Sequence, residues 1–180
     1  MEKQIWLGIN SVSMSVWGWW AFDVITFIAS YLGAIVIASQ TIMRSIGLIT
    51  FMLPVGIMSA CSTLTGNSVG EGRADKVTTY YRTSMILCFM LALLQVIVLV
   101  GLEDLIVSAF TNNTLIQEQM RLAWVVLQVF VIFDTTQAVS SAVIKGSGQQ
   151  KLGSLITSTA YWVFGIPISL LCVFYWDLGI

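Results

Sequence analysis

Two acidic residues lie inside long apolar stretches of the sequence, where charges are costly. Asp23 follows Trp20-Ala21-Phe22 in the first stretch, and Asp134 lies near the middle of the fourth. A charged side chain at the centre of a membrane-spanning helix costs about 2.5–3.5 kcal/mol on insertion scales, so such residues usually face the protein interior and serve a function. Burial also raises the pKa of a carboxyl group, which allows reversible protonation near neutral pH. We therefore predict that Asp23 and Asp134 bind protons or cationic substrates.

One basic residue lies in the second apolar stretch at the same depth as Asp23. Asp23 precedes the end of its stretch, Tyr31, by eight residues, and Arg44 follows Ile35 by nine. A tight hairpin then places both residues about 12 Å from the same end, at 1.5 Å per residue. We predict an ion pair between Arg44 and Asp23 in at least one conformation, which would couple protonation to helix rearrangement. The alternative is that Arg44 extends its guanidinium to the outer membrane interface.

Four further side chains are candidates for lining an internal cavity. Gln137 follows Asp134 by three positions and so shares its helix face. Gln40 lies near the outer end of its stretch, where it would line a vestibule. Trp20 and Tyr161 offer ring faces that attract a cationic substrate. The alternative for the aromatic residues is a place in the interfacial belt or in helix packing.

Two pairs of helix-breaking residues interrupt apolar stretches. Pro54 and Gly56 lie in the second stretch, and Gly165 and Pro167 lie in the fifth. Proline removes a backbone donor and bends a helix, which membrane helices tolerate when neighbours satisfy the freed carbonyl. We predict a hinge at each pair, with a static kink as the alternative. Gln95, alone in the third stretch, is predicted to hydrogen-bond between helices rather than to contact substrate.

The composition indicates how these residues are positioned. The 180 residues are 57% hydrophobic and only 9% charged, and the mean hydropathy is +0.89. A soluble domain of this size could not cover so much apolar surface. The sequence therefore predicts an all-α integral membrane protein, a bundle of about five transmembrane helices that forms one membrane domain over residues 1–180. Each crossing needs about 20 residues. The predicted spans are 8–31, 35–64, 84–102, 122–144 and 155–175.

The connections between these spans predict the topology. The link at 32–34 is short enough to require an antiparallel hairpin, whereas 66–82 is predicted to be a longer polar connection with a short interfacial helix. Basic residues are concentrated before the first span and in the second and fourth connections, so the N-terminus is predicted to be cytoplasmic. The chain is predicted to be a multi-pass protein of the plasma membrane or of vacuolar or other internal membranes, with the lipid bilayer as its first partner.

Several functions are excluded by what the sequence contains. The formal net charge of −1 provides no basic surface for nucleic acid. The chain has no histidine, and its three cysteines all lie in apolar stretches, so they are interpreted as buried thiols rather than a disulfide or metal framework. No nucleophile–base pair or phosphate-binding loop is present, so an enzyme is not expected. We expect no cofactor and no metal.

Several motifs resemble the MATE family, the multidrug and toxin extrusion antiporters, particularly its eukaryotic members. Trp20-Ala21-Phe22-Asp23 is similar to the signature of the seventh helix, and Leu53-Pro54-Val55-Gly56 to the Pro-x-Gly of the eighth. The run from Gly66 to Gly72 resembles the Asn-x-x-Gly-Ala-Gly loop that follows. Asp134 with the run from Val143 to Gln150 resembles the tenth helix and its Arg-Gly-x-Gly-x-Gln ending. Tyr161 with Gly165-Ile166-Pro167 resembles the eleventh helix.

The resemblance implies a twelve-helix transporter with two six-helix lobes, of which this chain would cover helices seven to eleven. The N-terminal lobe of the same polypeptide would then be a partner of this chain. The implied activity is export of organic, cationic or other xenobiotic compounds in exchange for protons. The resemblance places Asp23 and Asp134 at the two acidic positions of the C-terminal lobe. Asp23 is shorter than the glutamate usual at its position, and Arg44 is not a residue expected at its own position.

Alternatives to proton-coupled export stay open on the sequence. One is a sodium-coupled transporter or a flippase for a lipid-linked substrate, built on a related fold. Another is a non-transporting membrane subunit in which the two acids only hold helices together. Neutralising Asp23 and Asp134 would leave efflux unchanged in that last case.

Overall fold

The structure, a computed structural model, describes residues 2–175, apart from the side chains of residues 2–4 and 7. Within this range the chain forms helices and no strand. The α-helices are α1 (Glu2–Tyr31), α2 (Ala34–Met52), α3 (Val55–Gly70), α4 (Ala74–Gly101), α5 (Glu103–Phe110), α6 (Thr114–Gly146), α7 (Gln150–Ser158) and α8 (Ile166–Phe174). A π-helical segment, Thr159–Gly165, joins α7 to α8. Five segments are long and apolar enough to cross a membrane, which confirms the predicted fold class.

Helix α6 is the central helix of the bundle. It packs against α2, α3 and α4 and buries residues along most of its length. The Ser39 hydroxyl donates to the Ile116 carbonyl at 3.4 Å near the start of both helices, and the end of α3 lies against Gly146. Helices α2 and α3 therefore run parallel to α6. Helix α4 is antiparallel to α6, because the Trp124 indole donates to the Leu99 carbonyl at 3.1 Å near the end of α4.

The predicted polar connection over 66–82 is wrong. Helix α3 continues to Gly70 and α4 begins at Ala74, so only residues 71–73 connect them. Hydropathy marks only the part of a helix inside the hydrocarbon, and these helices continue beyond it. The 33 residues of α6 correspond to about 50 Å, whereas the hydrocarbon core is about 30 Å thick.

The parallel helices α3 and α6 end in the same type of cap. After α3 the N–H groups of Gly72 and Arg73 donate back to the last turn at 3.1 and 2.9 Å, and after α6 those of Gly148 and Gln149 do so at 3.3 and 3.1 Å. This pattern is a Schellman motif. Gly72 and Gly148 have φ of 71° and 77°, the left-handed region that glycine adopts without strain. The glycine-rich motifs of the sequence thus include two helix stops.

The second predicted span is divided at Pro54, between α2 and α3. Proline has no N–H to donate to the carbonyl of Thr50, four residues earlier. That carbonyl instead accepts a hydrogen bond from the N–H of Leu53 at 3.3 Å and one from Nε2 of Gln95 at 2.8 Å. Gln95 lies on α4 and is buried, as is Pro54. The interhelical bond predicted for Gln95 is present, and it supplies from α4 the donor that Pro54 lacks.

The fifth predicted span continues through Gly165 and Pro167 instead of breaking there. The N–H of Ile166 donates to the carbonyl of Tyr161, five residues earlier, as in a π-helix. The ring of a proline in a regular α-helix clashes with the carbonyl four residues before it, and a π-turn changes the spacing at this point. Movement at this segment, or at Pro54 with Gly56, stays a prediction.

Replacing Gln95 by leucine should destabilise the full-length protein by about 1 kcal/mol, a typical value for an interhelical hydrogen bond in a membrane protein. Pro54→Ala supplies a backbone N–H to the Thr50 carbonyl, so Gln95→Leu should cost less in that background. Thermal denaturation of the wild type, the two single variants and the double variant measures this coupling. Strictly additive effects would show that Gln95 does not compensate for the proline.

Gly146 allows close packing of α6 against α3. A Cβ at this position would lie 2.8 Å from the Cβ of Thr65 and closer still to the carbonyl of Ser62. Gly146→Ala should therefore destabilise the protein by about 1–3 kcal/mol, the usual range for overpacking. Gly8→Ala is the matched control, since that site is open and alanine favours helix. Equal melting temperatures of the two variants would contradict the close approach.

Candidate functional site

An open cleft of about 370 Å³ lies where α6, α7 and the π-helical segment meet, with Met14 of α1 on one side. Its walls are mostly apolar, and its polar groups come from α6, α7 and the π-helical segment. These are Asp134, Gln137, Ser140, Ser141, Thr157 and Tyr161. A concave apolar surface with a few convergent polar groups is the usual form of a small-molecule binding site.

Asp134 is the carboxylate on the wall of this cleft. It is half-buried on the central helix α6. The structure shows no hydrogen bond or ion pair to it from any described residue. The other polar lining groups are neutral hydroxyl and amide groups. A carboxylate that has no cation of its own is free to bind one.

Tyr161 lines the same cleft from the π-helical segment. Its ring centroid lies 6.0 Å from that of Phe22 on α1, and Phe22 lies 6.0 Å from Phe130 on α6. Phe130 also lines the cleft, so Phe22 supports two of its wall residues from behind. This ring cluster holds Tyr161 in the cleft that contains Asp134. A ring face and a carboxylate together can bind an organic cation.

Asp23 lies in a different environment, between α1 and α2. Its Oδ1 is 2.8 Å from Nη2 of Arg44, which is the ion pair that the hairpin geometry predicts. Nη1 of Arg44 also donates to the hydroxyl of Thr26 at 3.2 Å. The Arg44 side chain is 24% exposed, whereas that of Asp23 is 62% exposed.

The expected burial of Asp23 is not found. We predicted a buried carboxylate, but its side chain is exposed in the described chain, and it does not line the cleft of Asp134. The reason is its position on α1. Ala21 and Ile28 face the bundle, while Asp23 and Trp20 lie on the opposite side of the helix. The two acids therefore do not form one site within this chain.

The predicted lining residues divide in the same way. Gln137 and Tyr161 line the cleft, and Trp20 and Gln40 do not. The Trp20 side chain is exposed, and its ring packs edge-on against Trp17 at 6.2 Å. Gln40 is half-buried, and its Oε1 is buried without a partner among the described residues. A vestibule role for Gln40 stays a prediction.

Several lining residues were not predicted, although the spacing of some of them along α6 indicates a shared helix face. Phe130, Asp134, Gln137, Ser141 and Ile144 recur at intervals of three and four along α6, and all of them line the cleft. Such spacing marks one face of a helix. The contributions of α1 and α7 depend on tertiary packing, so no local pattern could indicate them.

The cleft offers one carboxylate, neutral polar groups and the aromatic rings of Phe130, Phe133 and Tyr161. In the described part of the chain, no group of three or more histidine, cysteine or acidic side chains is placed to hold a metal ion. A single carboxylate in an apolar wall suits a proton or a monovalent organic cation. Gln137 and the hydroxyl groups can orient polar atoms of a bound molecule.

The fold and the cleft define a multi-pass membrane protein whose central helix presents a carboxylate in a cleft. The family model MatE matches residues 11–171, which is most of the sequence. The chain therefore belongs to the MatE family.

Similar proteins are found in animals and fungi. The chain is 30% identical to multidrug and toxin extrusion protein 2 of Mus musculus and 28% identical to multidrug and toxin extrusion protein 1 of Homo sapiens, in each case over 97% of this chain and 30% of the relative. It is 24% identical to an uncharacterized transporter of Schizosaccharomyces pombe, over 100% of this chain and 34% of the relative. The chain thus spans about a third of the length of these relatives. No solved structure matches it significantly.

The thiol of the variant Gln137→Cys should react with a water-soluble maleimide if the cleft is hydrated in the full-length protein. Val125→Cys is the control, because that residue lies on α6 outside the cleft and thiols in apolar surroundings react poorly. Cys61 and Cys88 are buried, so only Cys172 of this chain must first be replaced by serine. Equal labelling at positions 137 and 125, read by mass spectrometry, would contradict a water-filled cleft.

Proposed function

We propose that the full-length protein to which this chain belongs exports organic cations in exchange for protons, with Asp134 as the exchange site. The observation that supports this proposal is a half-buried carboxylate without a cationic partner among the described residues, in a cleft that also contains the ring of Tyr161. The mammalian relatives are named multidrug and toxin extrusion proteins, which supports the class of substrate.

The exchange follows from competition for one negative charge. A cation about 4 Å from a carboxylate is attracted by about 4 kcal/mol at an effective dielectric constant of 20. Protonation of Asp134 removes this attraction, and each 1.4 kcal/mol corresponds to a tenfold change in affinity. Proton binding at Asp134 can therefore release a bound cation, and cation binding can expel the proton.

Export also requires that the cleft face the two sides of the membrane in turn. The chain spans 30% of the length of its mouse relative, and we propose that the N-terminal lobe of the same polypeptide closes the cleft from the opposite side. Loading of Asp134 by a proton or by substrate would then shift the population between the two orientations of the lobes. The exposed lining residues Phe133 and Gln137 leave room for such a contact.

The experiment is transport by the full-length protein in proteoliposomes. A quaternary ammonium ion is the probe, because it carries a charge that pH cannot remove. A pH gradient should drive its accumulation, and Asp134→Asn should reduce the initial rate by at least about tenfold, since one charge–charge attraction is lost. Asp134→Glu should retain transport with a changed KM, because the carboxylate is kept.

The control for charge removal is Asp104→Asn. Asp104 pairs with Arg121 at the surface, outside the cleft, so this variant should transport like the wild type. Transport driven by a sodium gradient but not by a pH gradient would support the sodium-coupled alternative. Unchanged efflux in Asp134→Asn would support the non-transporting alternative, and movement of a lipid-linked probe in place of the ammonium ion would support a flippase. Each of these results would overturn the proposal.

A further inference from the structure

The two intramembrane acids differ in their electrostatic partners. Asp23 forms an ion pair with Arg44 at 2.8 Å. Asp134 has no cationic partner among the described residues, and the other titratable side chain on the wall of its cleft is that of Tyr161. Among the described residues, one acid is thus paired with a cation and the other is not.

Arg44 is held by more than the ion pair. One guanidinium nitrogen, Nη2, is paired with Asp23, and the other, Nη1, donates to the Thr26 hydroxyl at 3.2 Å. That hydroxyl donates in turn to the carbonyl of Phe22 at 2.9 Å. The Arg44 side chain is about three-quarters buried, whereas Asp23 is mostly exposed. The guanidinium is therefore a fixed part of the α1–α2 hairpin, and the exposed carboxylate is bound to it.

A second cation at Asp23 would have to compete with this resident cation. Displacing Arg44 leaves its guanidinium with one hydroxyl acceptor among the described residues, on a side chain that is mostly buried. Removing the partner of a buried charge is destabilising. A proton at Asp23 would have the same effect, because the neutral acid no longer compensates the charge of Arg44. Exchange at Asp134 displaces no resident cation from a described residue.

We propose that Arg44 is a built-in counter-ion that removes Asp23 from cation exchange, so that Asp134 and not Asp23 carries the exchanged proton or substrate. Arg44 and Asp23 are then positioning residues that join α1 to α2. This inference rests on the proposed transport function, which it refines by assigning one exchangeable carboxylate instead of two.

The pair of substitutions Asp23→Asn and Arg44→Gln tests the assignment in the full-length protein. Each alone should impair transport, because it leaves one member of the pair uncompensated. The double variant D23N/R44Q has no net charge change and should transport the ammonium ion within about twofold of the wild-type rate, as expected when only the coupling between two residues is removed. Its rate should also keep the wild-type dependence on pH, because the exchanging carboxylate of Asp134 is unchanged in this variant.

A double variant that folds but loses proton-driven transport, the result expected for Asp134→Asn, would overturn the inference and place Asp23 among the exchanging groups. The wild type separates this result from failure of the proposed function. If the wild type itself shows no proton-driven cation transport, the proposed function fails first. If the wild type transports and the double variant does not, only the assignment of Asp23 fails.

A measurement on the wild type makes the test independent of variant folding. A hydrophobic carbodiimide reacts with protonated carboxyl groups in apolar surroundings, and peptide mass spectrometry locates the adduct. Asp134 should be modified, and excess quaternary ammonium ion should protect it. Asp23, which is paired with Arg44, should not be modified. Modification of Asp23 that substrate prevents would contradict the inference.

Discussion

The structure depends on one constraint, the need of polar groups in the apolar bundle, those of the backbone above all, to find partners within the protein. The carbonyl that Pro54 leaves free is bound by Gln95 from α4. The Leu99 carbonyl at the end of α4 is bound by the buried indole of Trp124. Asp23 has Arg44. Asp134 has no such partner among the described residues, and it is the acid that lies on the wall of the cleft.

The central helix α6 combines packing and binding on separate faces. Trp124, Thr135 and Val139 are buried against the neighbouring helices. The stripe that contains Asp134 and Gln137 faces the cleft. Because the buried face fixes the rotation of α6 about its axis, it also fixes the direction in which the carboxylate points. Packing of α6 against α2, α3 and α4 therefore determines the position of the site.

The sequence predicted features that depend on local rules and missed those that depend on packing. Five apolar spans and the equal depth of Asp23 and Arg44 followed from hydropathy and the rise of a helix, and the structure contains both. The face on which Asp23 lies could not be predicted, because helix α1 has polar and aromatic residues on several sides. The carbonyl to which Gln95 donates could not be predicted either, since it lies 45 positions away in the sequence. The 66–82 segment was misread because polar helix ends resemble loops.

The two proline sites are not equivalent for a protein that must change shape. The kink at Pro54 is tied to α4 through Gln95, so bending there must break a buried hydrogen bond or move α4 as well. The segment before Pro167 is π-helical and contains Tyr161, which lines the cleft. A change in the helical spacing of this segment would therefore rotate a side chain that lines the cleft. Of the two predicted hinges, the one at Gly165 and Pro167 therefore has the more direct connection to whatever occupies the cleft beside Asp134.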